Sequence, residues 1–262
     1  MHKALWVGKT GLEAQDIALA TISNNMANAS TTGYKKERAV FEDLIYQVQR
    51  QPGAQSTQNT QLPSGLQLGT GVRTVGTQKL FTQGDLNTTE QPLDLAINGR
   101  GFFQILLPDG NLAYTRDGTF HLNDEGQIVT ASGYLLEPDI QLPEQTSTIT
   151  IGEDGIVTAV IGNDNQNVIQ LGDIEVVDFV NPAGLQAAGK NLFLETAASG
   201  PPQVGVPSLD GFGSIIQGAL ETSNVTIVEE MVDMISTQRS YEMNSKVVST
   251  ADQMLGFITQ NL

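Results

Sequence analysis

Thr226-Ile227-Val228-Glu229-Glu230-Met231 opens the last segment of the chain, and its reading decides the architecture. Glu229 stands three residues after Thr226, the spacing of a capping box. Glu229 and Glu230 then fall in a first turn, where the helix dipole favours negative charge. Beyond them Ile227, Met234, Tyr241, Val248, Leu255 and Leu262 recur every seven residues, and Val228, Met231, Ile235 and Ile258 widen the stripe. Gly256 is the only glycine after Gly218. These features predict one helix from Ile227 to Gln260, about 50 Å long at about 1.5 Å per residue. The companion heptad positions Gln238, Ser245, Asp252 and Thr259 are polar, so a strict two-stranded zipper is not expected. A narrow strip with mixed neighbours suits a helix that shares its sides among several partners.

Working outward, all ten prolines lie between Pro52 and Pro207. Proline removes a donor and clashes with the preceding turn, so both ends are free to form long helices and the middle is not. At the N-terminal end Leu5, Gly8, Leu12, Gln15, Leu19, Ile22 and Met26 step by three and four, a helical stripe. Ala4, Gly11, Ala14 and Ala18 make a second face of small residues that lets another backbone approach. Turn formers from Asn28 to Gly33 end this helix.

The middle reads as β. Leu93–Ile97, Phe102–Leu107, Gln127–Thr130, Tyr134–Glu137, Thr148–Ile151 and Asp173–Val180 are short and rich in β-formers. Pro108-Asp109-Gly110, Asp117-Gly118, Asn123-Asp124-Glu125-Gly126 and Glu153-Asp154-Gly155 separate them, and Asp-Gly pairs supply the positive φ of hairpin turns. This spacing predicts an antiparallel sandwich or barrel. Gln47–Gly71 lacks acidic residues and is dense in Gln, Ser, Thr, Gly and Pro, the composition of a flexible or extended connector.

Composition narrows the function classes. The 262 residues carry 13 basic and 29 acidic side chains, a net charge of −16, which argues against nucleic acid and anionic membrane surfaces. The balance is +3 up to Lys79, −15 from Leu80 to Ile215 and −4 thereafter. The middle is therefore a strongly solvated acidic body. Cysteine is absent, which excludes thiolate nucleophiles, thiolate zinc sites and disulfides. Two histidines, His2 and His121, leave little for imidazole chemistry. No apolar run approaches the roughly 18 residues of a membrane span, and the first residues lack the pattern of a cleaved signal.

Catalytic and metal motifs are weak. Gly99-Arg100-Gly101 begins like a dinucleotide loop but has no third glycine. The Asn123–Gly126 string lacks the spacing of a calcium loop and reads as a hairpin turn. Asp94, Asp109, Asp117 and Asp124 offer carboxylates, with none marked out as a catalytic pair. Arg116 beside Asp117 reads as part of a structural ion pair, and Trp6 as a packing anchor. Two classes remain on these grounds: a structural subunit that polymerises through its ends, and a β-rich carbohydrate-acting enzyme or binding module with coiled-coil dimerisation.

The ends and middle are also specific as strings. Gly11-Leu12-Glu13-Ala14-Gln15, Ile22-Ser23-Asn24-Asn25-Met26-Ala27-Asn28 and Thr32-Gly33-Tyr34-Lys35 closely resemble the N-terminal signature of the bacterial flagellar rod and hook proteins. Glu221-Thr222-Ser223-Asn224-Val225, Glu229-Glu230-Met231-Val232 and the run from Thr237 to Lys246 resemble its C-terminal signature. Leu95–Phe103 and Tyr114-Thr115-Arg116-Asp117-Gly118 resemble its middle. The segment holding Pro52, Gly53, Leu62, Pro63, Gly65, Leu66 and Gly69 resembles the distal-rod branch of that family.

The resemblance implies an α+β fold. Residues 1–30 and 220–262 would pair as a coiled-coil-like inner polymerisation domain, 31–71 would be an extended connector, and 72–219 an outer, mainly antiparallel β domain. The polymerisation residues would be Leu5, Leu12, Leu19, Ile22, Met26, Ile227, Met231, Met234, Tyr241, Val248, Leu255 and Leu262; Asn24, Asn25, Asn28, Gly33 and Tyr34 carry the family motif. It further implies a non-enzymatic subunit that self-assembles into a hollow helical drive shaft joining proximal rod to hook. Another rod or hook role in the family is the alternative. No cofactor or metal is implied. The implied partners are further copies of the chain, proximal rod proteins, the hook protein, periplasmic and outer-membrane ring proteins, the export apparatus and a rod cap. Nucleic acid and direct membrane insertion are not implied. The implied place is the basal body, from periplasm to outer membrane, reached by export without a cleaved signal.

Overall fold

The computed structural model describes residues 3–53, 55–57, 60–61, 63–143, 146–162 and 168–260. Leu62 and Leu262 lie outside the described residues, and the side chain of Ile258 is likewise not described. The chain forms two compact units, one of residues 1–27, 37–79 and 226–262 and one of residues 28–36 and 80–225.

In the first unit α1 (Lys3–Ala27) packs against α2 (Ile227–Gln260). α1 ends where the turn formers begin, with the Thr31 amide donating to the Asn28 carbonyl at 3.1 Å. α2 begins at Ile227, where its string places the start, and the Glu230 amide donates to the Thr226 carbonyl at 3.1 Å, which makes Thr226 the N-cap residue. The rest of this unit is a long antiparallel hairpin. β1 (Glu37–Asp43) pairs with β6 (Val72–Lys79), with a bulge at Val40/Phe41. Outward along the same arm β2 (Gln47–Arg50) pairs with β5 (Leu66–Leu68), and β3 (Gln55–Thr57) with β4 (Thr60–Gln61). Composition reads this stretch as a connector, yet most of its described residues are paired strand. The local cause is a hairpin ladder that satisfies backbone groups without requiring apolar side chains. The expected division places 72–79 with the β domain and 31–36 with the connector. In the structure residues 72–79 pair with β1, and residues 28–36 belong to the second unit.

The second unit is β. Its strands are β7 (Leu86–Thr88), β8 (Leu95–Asn98), β9 (Phe103–Leu106), β10 (Leu112–Thr115), β11 (Phe120–Leu122), β12 (Ile128–Thr130), β13 (Leu135–Glu137), β14 (Thr146–Ile151), β15 (Ile156–Ile161) and β16 (Val168–Asp173). They continue with β17 (Val176–Asp178), β18 (Gln186–Gly189), β19 (Leu192–Leu194), β20 (Gln203–Gly205), β21 (Ser214–Gln217) and β22 (Ala219–Glu221). The largest sheet has the order β11-β12-β13-β9-β10-β19-β18 and is antiparallel throughout. β21 pairs with β8 and β22 with β7, so the end of the body closes on its beginning.

The period-two pattern of β9 explains the core. Phe103 and Ile105 point to one side, where they meet Leu95, Ile97, Phe120, Leu136 and Val176. Phe102 joins a second cluster with Tyr114, Val177, Phe179 and Phe193, packed edge to face at centroid distances such as 4.8 Å for Tyr114–Phe179. Full burial of each such side chain contributes about 1.5–3 kcal/mol.

Three of the four expected turns take positive φ at glycine: Gly110, Gly126 and Gly155. The Asp117-Gly118 pair differs. Gly118 does not adopt positive φ; it is glycine because a Cβ there would run into the backbone of Leu95.

Candidate assembly surface

The α1–α2 contact is built on small residues. A Cβ on Gly8 would lie 2.6 Å from Val248 Cγ2, and one on Gly11 would lie 3.1 Å from Asn244 Nδ2. Ala14 is buried on the same helix, and Leu5, Leu12, Leu19, Ile22 and Met26 are half-buried. Facing them, α2 presents two heptad sets. Met234, Val248 and Leu255 of the expected stripe are half-buried, while Tyr241 of the same set is exposed. The second set is Glu230, Thr237, Asn244 and Ala251, which are buried or half-buried. The companion positions read from the sequence, Gln238, Ser245 and Asp252, are exposed instead. The actual companions are polar or small, and hydrophobicity alone gives them no signal.

Away from this seam α1 meets the β1–β6 hairpin, where the Val72 amide donates to Thr10 Oγ1 at 3.4 Å, and α2 exposes many apolar side chains among charged ones such as Arg239, Glu242 and Lys246. Ile227, Val228, Met231, Val232, Ile235, Met243, Val247 and Met254 of α2 are exposed, Val228 by 70%. α1 adds Trp6, Val7 and Ile17. Single exposed apolar residues are ordinary; this density on one helix marks a surface that something covers. The arm adds Phe41, Ile45, Tyr46, Val48, Leu66, Leu68 and Val75, with Ile45 85% exposed. Pro52, Gly53 and Pro63 are exposed on the arm, and Gly65 is glycine because a Cβ would press on Pro52, 2.6 Å from its nitrogen. Leu68 and Gly69 line a groove with Lys3, Trp6 and Val7, which joins the base of the arm to α1.

The motif asparagines tie segments together. Asn25, 1% exposed, donates from Nδ2 to the Glu37 carbonyl at 2.7 Å and accepts the Glu37 amide on Oδ1 at 2.9 Å. The same Nδ2 donates to Glu230 Oε2 at 3.2 Å. One amide side chain thus fixes the end of α1, the start of β1 and the first turn of α2. Asn28 accepts the Thr31 hydroxyl on Oδ1 at 3.2 Å, shaping the turn that follows α1.

In the β unit the family strings meet at one buried point. Glu221 Oε1 lies 2.5 Å from Lys35 Nζ, and Glu221 Oε2 lies 2.9 Å from Arg116 Nε. Lys35 also donates to the Thr82 carbonyl at 2.8 Å, and Arg116 to the carbonyls of Gly101 and Gly99 at 2.7 and 2.8 Å. All three side chains are buried. Burial pushes the Lys35 ammonium below its ordinary value, against the pull of Glu221, and burial likewise lowers the Arg116 guanidinium. Arg116 therefore has Glu221 as its ion-pair partner. Gly33, at φ 67°, donates its amide to the Glu221 carbonyl at 2.8 Å, and a Cβ there would sit 2.6 Å from the Asp117 nitrogen. Tyr34 is buried beside it. The Lys35–Glu221–Arg116 cluster escaped sequence reasoning because its members lie far apart in the chain. Its one signal is that each residue belongs to a different family string.

Asn123 and Gly126 close a turn in which the Gly126 amide donates to the Asn123 carbonyl at 3.1 Å. Gly99 and Gly101 accept from Arg116. Among the described residues no group of acidic or histidine side chains is placed to hold a metal, and no helix is long and apolar enough to cross a membrane.

Comparison with known proteins matches three family profiles along the chain. They are the flagella basal body rod protein at residues 5–35, the flagellar hook protein FlgE/F/G D1 domain at 96–159 and the flagellar basal body rod FlgEFG protein C-terminal at 216–261. The flagellar basal-body rod protein FlgG of Buchnera aphidicola from Schizaphis graminum is 54% identical over 99% of this chain and 100% of its own length. That of Borreliella burgdorferi is 50% identical over 100% of this chain and 99% of its own, and that of Bacillus subtilis 35% identical over 97% of each. The chain belongs to the family of flagellar hook and basal-body rod proteins, and its role is structural, not enzymatic.

Proposed function

We propose that the chain is a subunit of the distal flagellar rod that polymerises through α1 and α2 into a hollow helical tube, with the helices innermost and the β unit outermost. The observation that carries this reading is the number of exposed apolar side chains on α2, a helix already paired with α1 through its other side. Helices packed as a coiled-coil-like pair leave such faces for neighbouring copies, and each covered Leu, Val or Met adds about 1.5–3 kcal/mol. The residues assigned to this contact are Ile227 and Met231, both exposed in the single chain. Repeated over many subunits, these contacts hold a shaft that transmits torque between proximal rod and hook. Ring proteins, the export apparatus and a rod cap complete the proposed partners, and the location is the basal body across the periplasm.

The arm supplies stiffness in this reading. Its exposed Ile45, Tyr46, Val48 and Leu66, and a strand pair open on both edges, suit contact with adjacent subunits. Polymers of the intact chain and of a chain lacking residues 52–68, compared by electron microscopy, test this. The intact chain should give straight tubes and the shortened chain curved or softer ones. Equally straight and stiff tubes from both would remove the mechanical role of the arm.

A further inference from the structure

We propose that Lys35, Glu221 and Arg116 form a completion latch: the segment 28–36 docks on the β unit only after the last strand, β22, is in place. Lys35 and Glu221 are 186 positions apart, and their side chains are 1% and 0% exposed. Without the Glu221 carboxylate Lys35 would be buried beside the Arg116 cation with no counter-charge of its own, and an unpaired buried charge does not stay buried. The carboxylate therefore decides whether Lys35 can enter.

The backbone around the cluster interlocks in the same sense. The Gly84 amide donates to Glu221 Oε1 at 2.9 Å, and the Gly33 amide to the Glu221 carbonyl at 2.8 Å. Asn224 accepts the Lys36 amide at 2.6 Å and donates to the Leu80 carbonyl at 2.8 Å. Segments 28–36, 80–84 and 219–225 thus share one knot, tied by residues from the end of the β unit. Asn191 holds the Thr32 carbonyl at 3.1 Å, but this contact supplies no counter-charge for Lys35. A chain that becomes available from its amino end keeps 28–36 undocked until Glu221 arrives. An incompletely delivered subunit then stays open. That use during delivery rests on the export reading proposed above; the latch itself does not.

Amide hydrogen exchange on the full chain tests the latch without reference to assembly. The Gly33 amide, which donates to the Glu221 carbonyl at 2.8 Å, reports docking of the segment. Glu221→Gln keeps that carbonyl and should lower protection at Gly33 by at least about tenfold while Ile105 and Tyr114 keep theirs. Lys35→Met leaves the neutral Arg116–Glu221 pair and should retain Gly33 protection; adding it to Glu221→Gln should restore it. Unchanged protection in Glu221→Gln, or equal loss in Lys35→Met, overturns the proposal. If Glu221→Gln does not fold, pulse labelling of refolding wild-type chain decides instead. Gly33 should become protected together with or after Thr222, whose amide donates to the Asp85 carbonyl at 2.8 Å. Protection of Gly33 in an earlier phase than Thr222 overturns the latch.

Discussion

Val248 occupies the space that a Cβ on Gly8 would need, with its Cγ2 2.6 Å from that position. The two terminal helices come this close because one of them has no side chain at the contact. Gly8→Val should therefore force the seam open. Overpacking of this kind costs about 1–3 kcal/mol, and the helical signal should melt earlier while the aromatic core of the β unit melts as before. Far- and near-ultraviolet circular dichroism on one sample separate the two. Coincident, unshifted melting would show that the helices do not depend on this contact.

Charge balance sets an order of severity at the buried cluster. Glu221→Gln leaves Lys35 and Arg116 buried together and should cost about 3–5 kcal/mol. Lys35→Met keeps the Arg116–Glu221 pair, 2.9 Å apart, and should cost clearly less. Urea unfolding of the variants gives the ranking; equal losses would mean that shape, not charge, governs the site.

The helices were legible in the sequence because proline is confined to the middle and apolar residues recur in each end. The seam was only half legible. Met234, Val248 and Leu255 announce themselves, but Glu230, Thr237, Asn244 and Ala251 carry no hydrophobic signal and are chosen by close packing against Gly8 and Gly11. β9 and β12 were visible because Phe103, Ile105 and Ile128 enter a core. The arm was not, because β2 and β5 are exposed on both faces and need no alternation. Lys35 and Glu221 were visible only as members of two separate family strings, and only the fold places them 2.5 Å apart.

Lys35 also predicts an unusual pH profile for the β unit. Burial lowers its folded pKa below the ordinary lysine value of 10.5, so the unfolded chain holds the proton where the folded chain has lost it. Stability should therefore rise with pH in the window below 10.5 that the shift opens. Tyr114 acts oppositely: burial raises its pKa above 10.0, and stability falls once unfolded tyrosine ionises beyond that pH. Denaturant midpoints between about pH 8 and 11 should show the rise, then the fall. Lys35→Met should remove the rise only; a rise that persists in that variant assigns it to another group.

In the proposed tube the exposed apolar side chains of α2 join one copy to the next, and assembly of purified protein tests that contact. Met231 and Val247 are exposed in the single chain, so Met231→Glu or Val247→Glu should leave monomer stability within about 0.5 kcal/mol. In a polymer the new carboxylate would be desolvated at a cost of several kcal/mol, raising the concentration needed for assembly by about a hundredfold or more. Sedimentation and electron microscopy should find monomers where the unaltered chain forms tubes. Tubes formed by both variants at the same concentration as the unaltered chain would contradict the account.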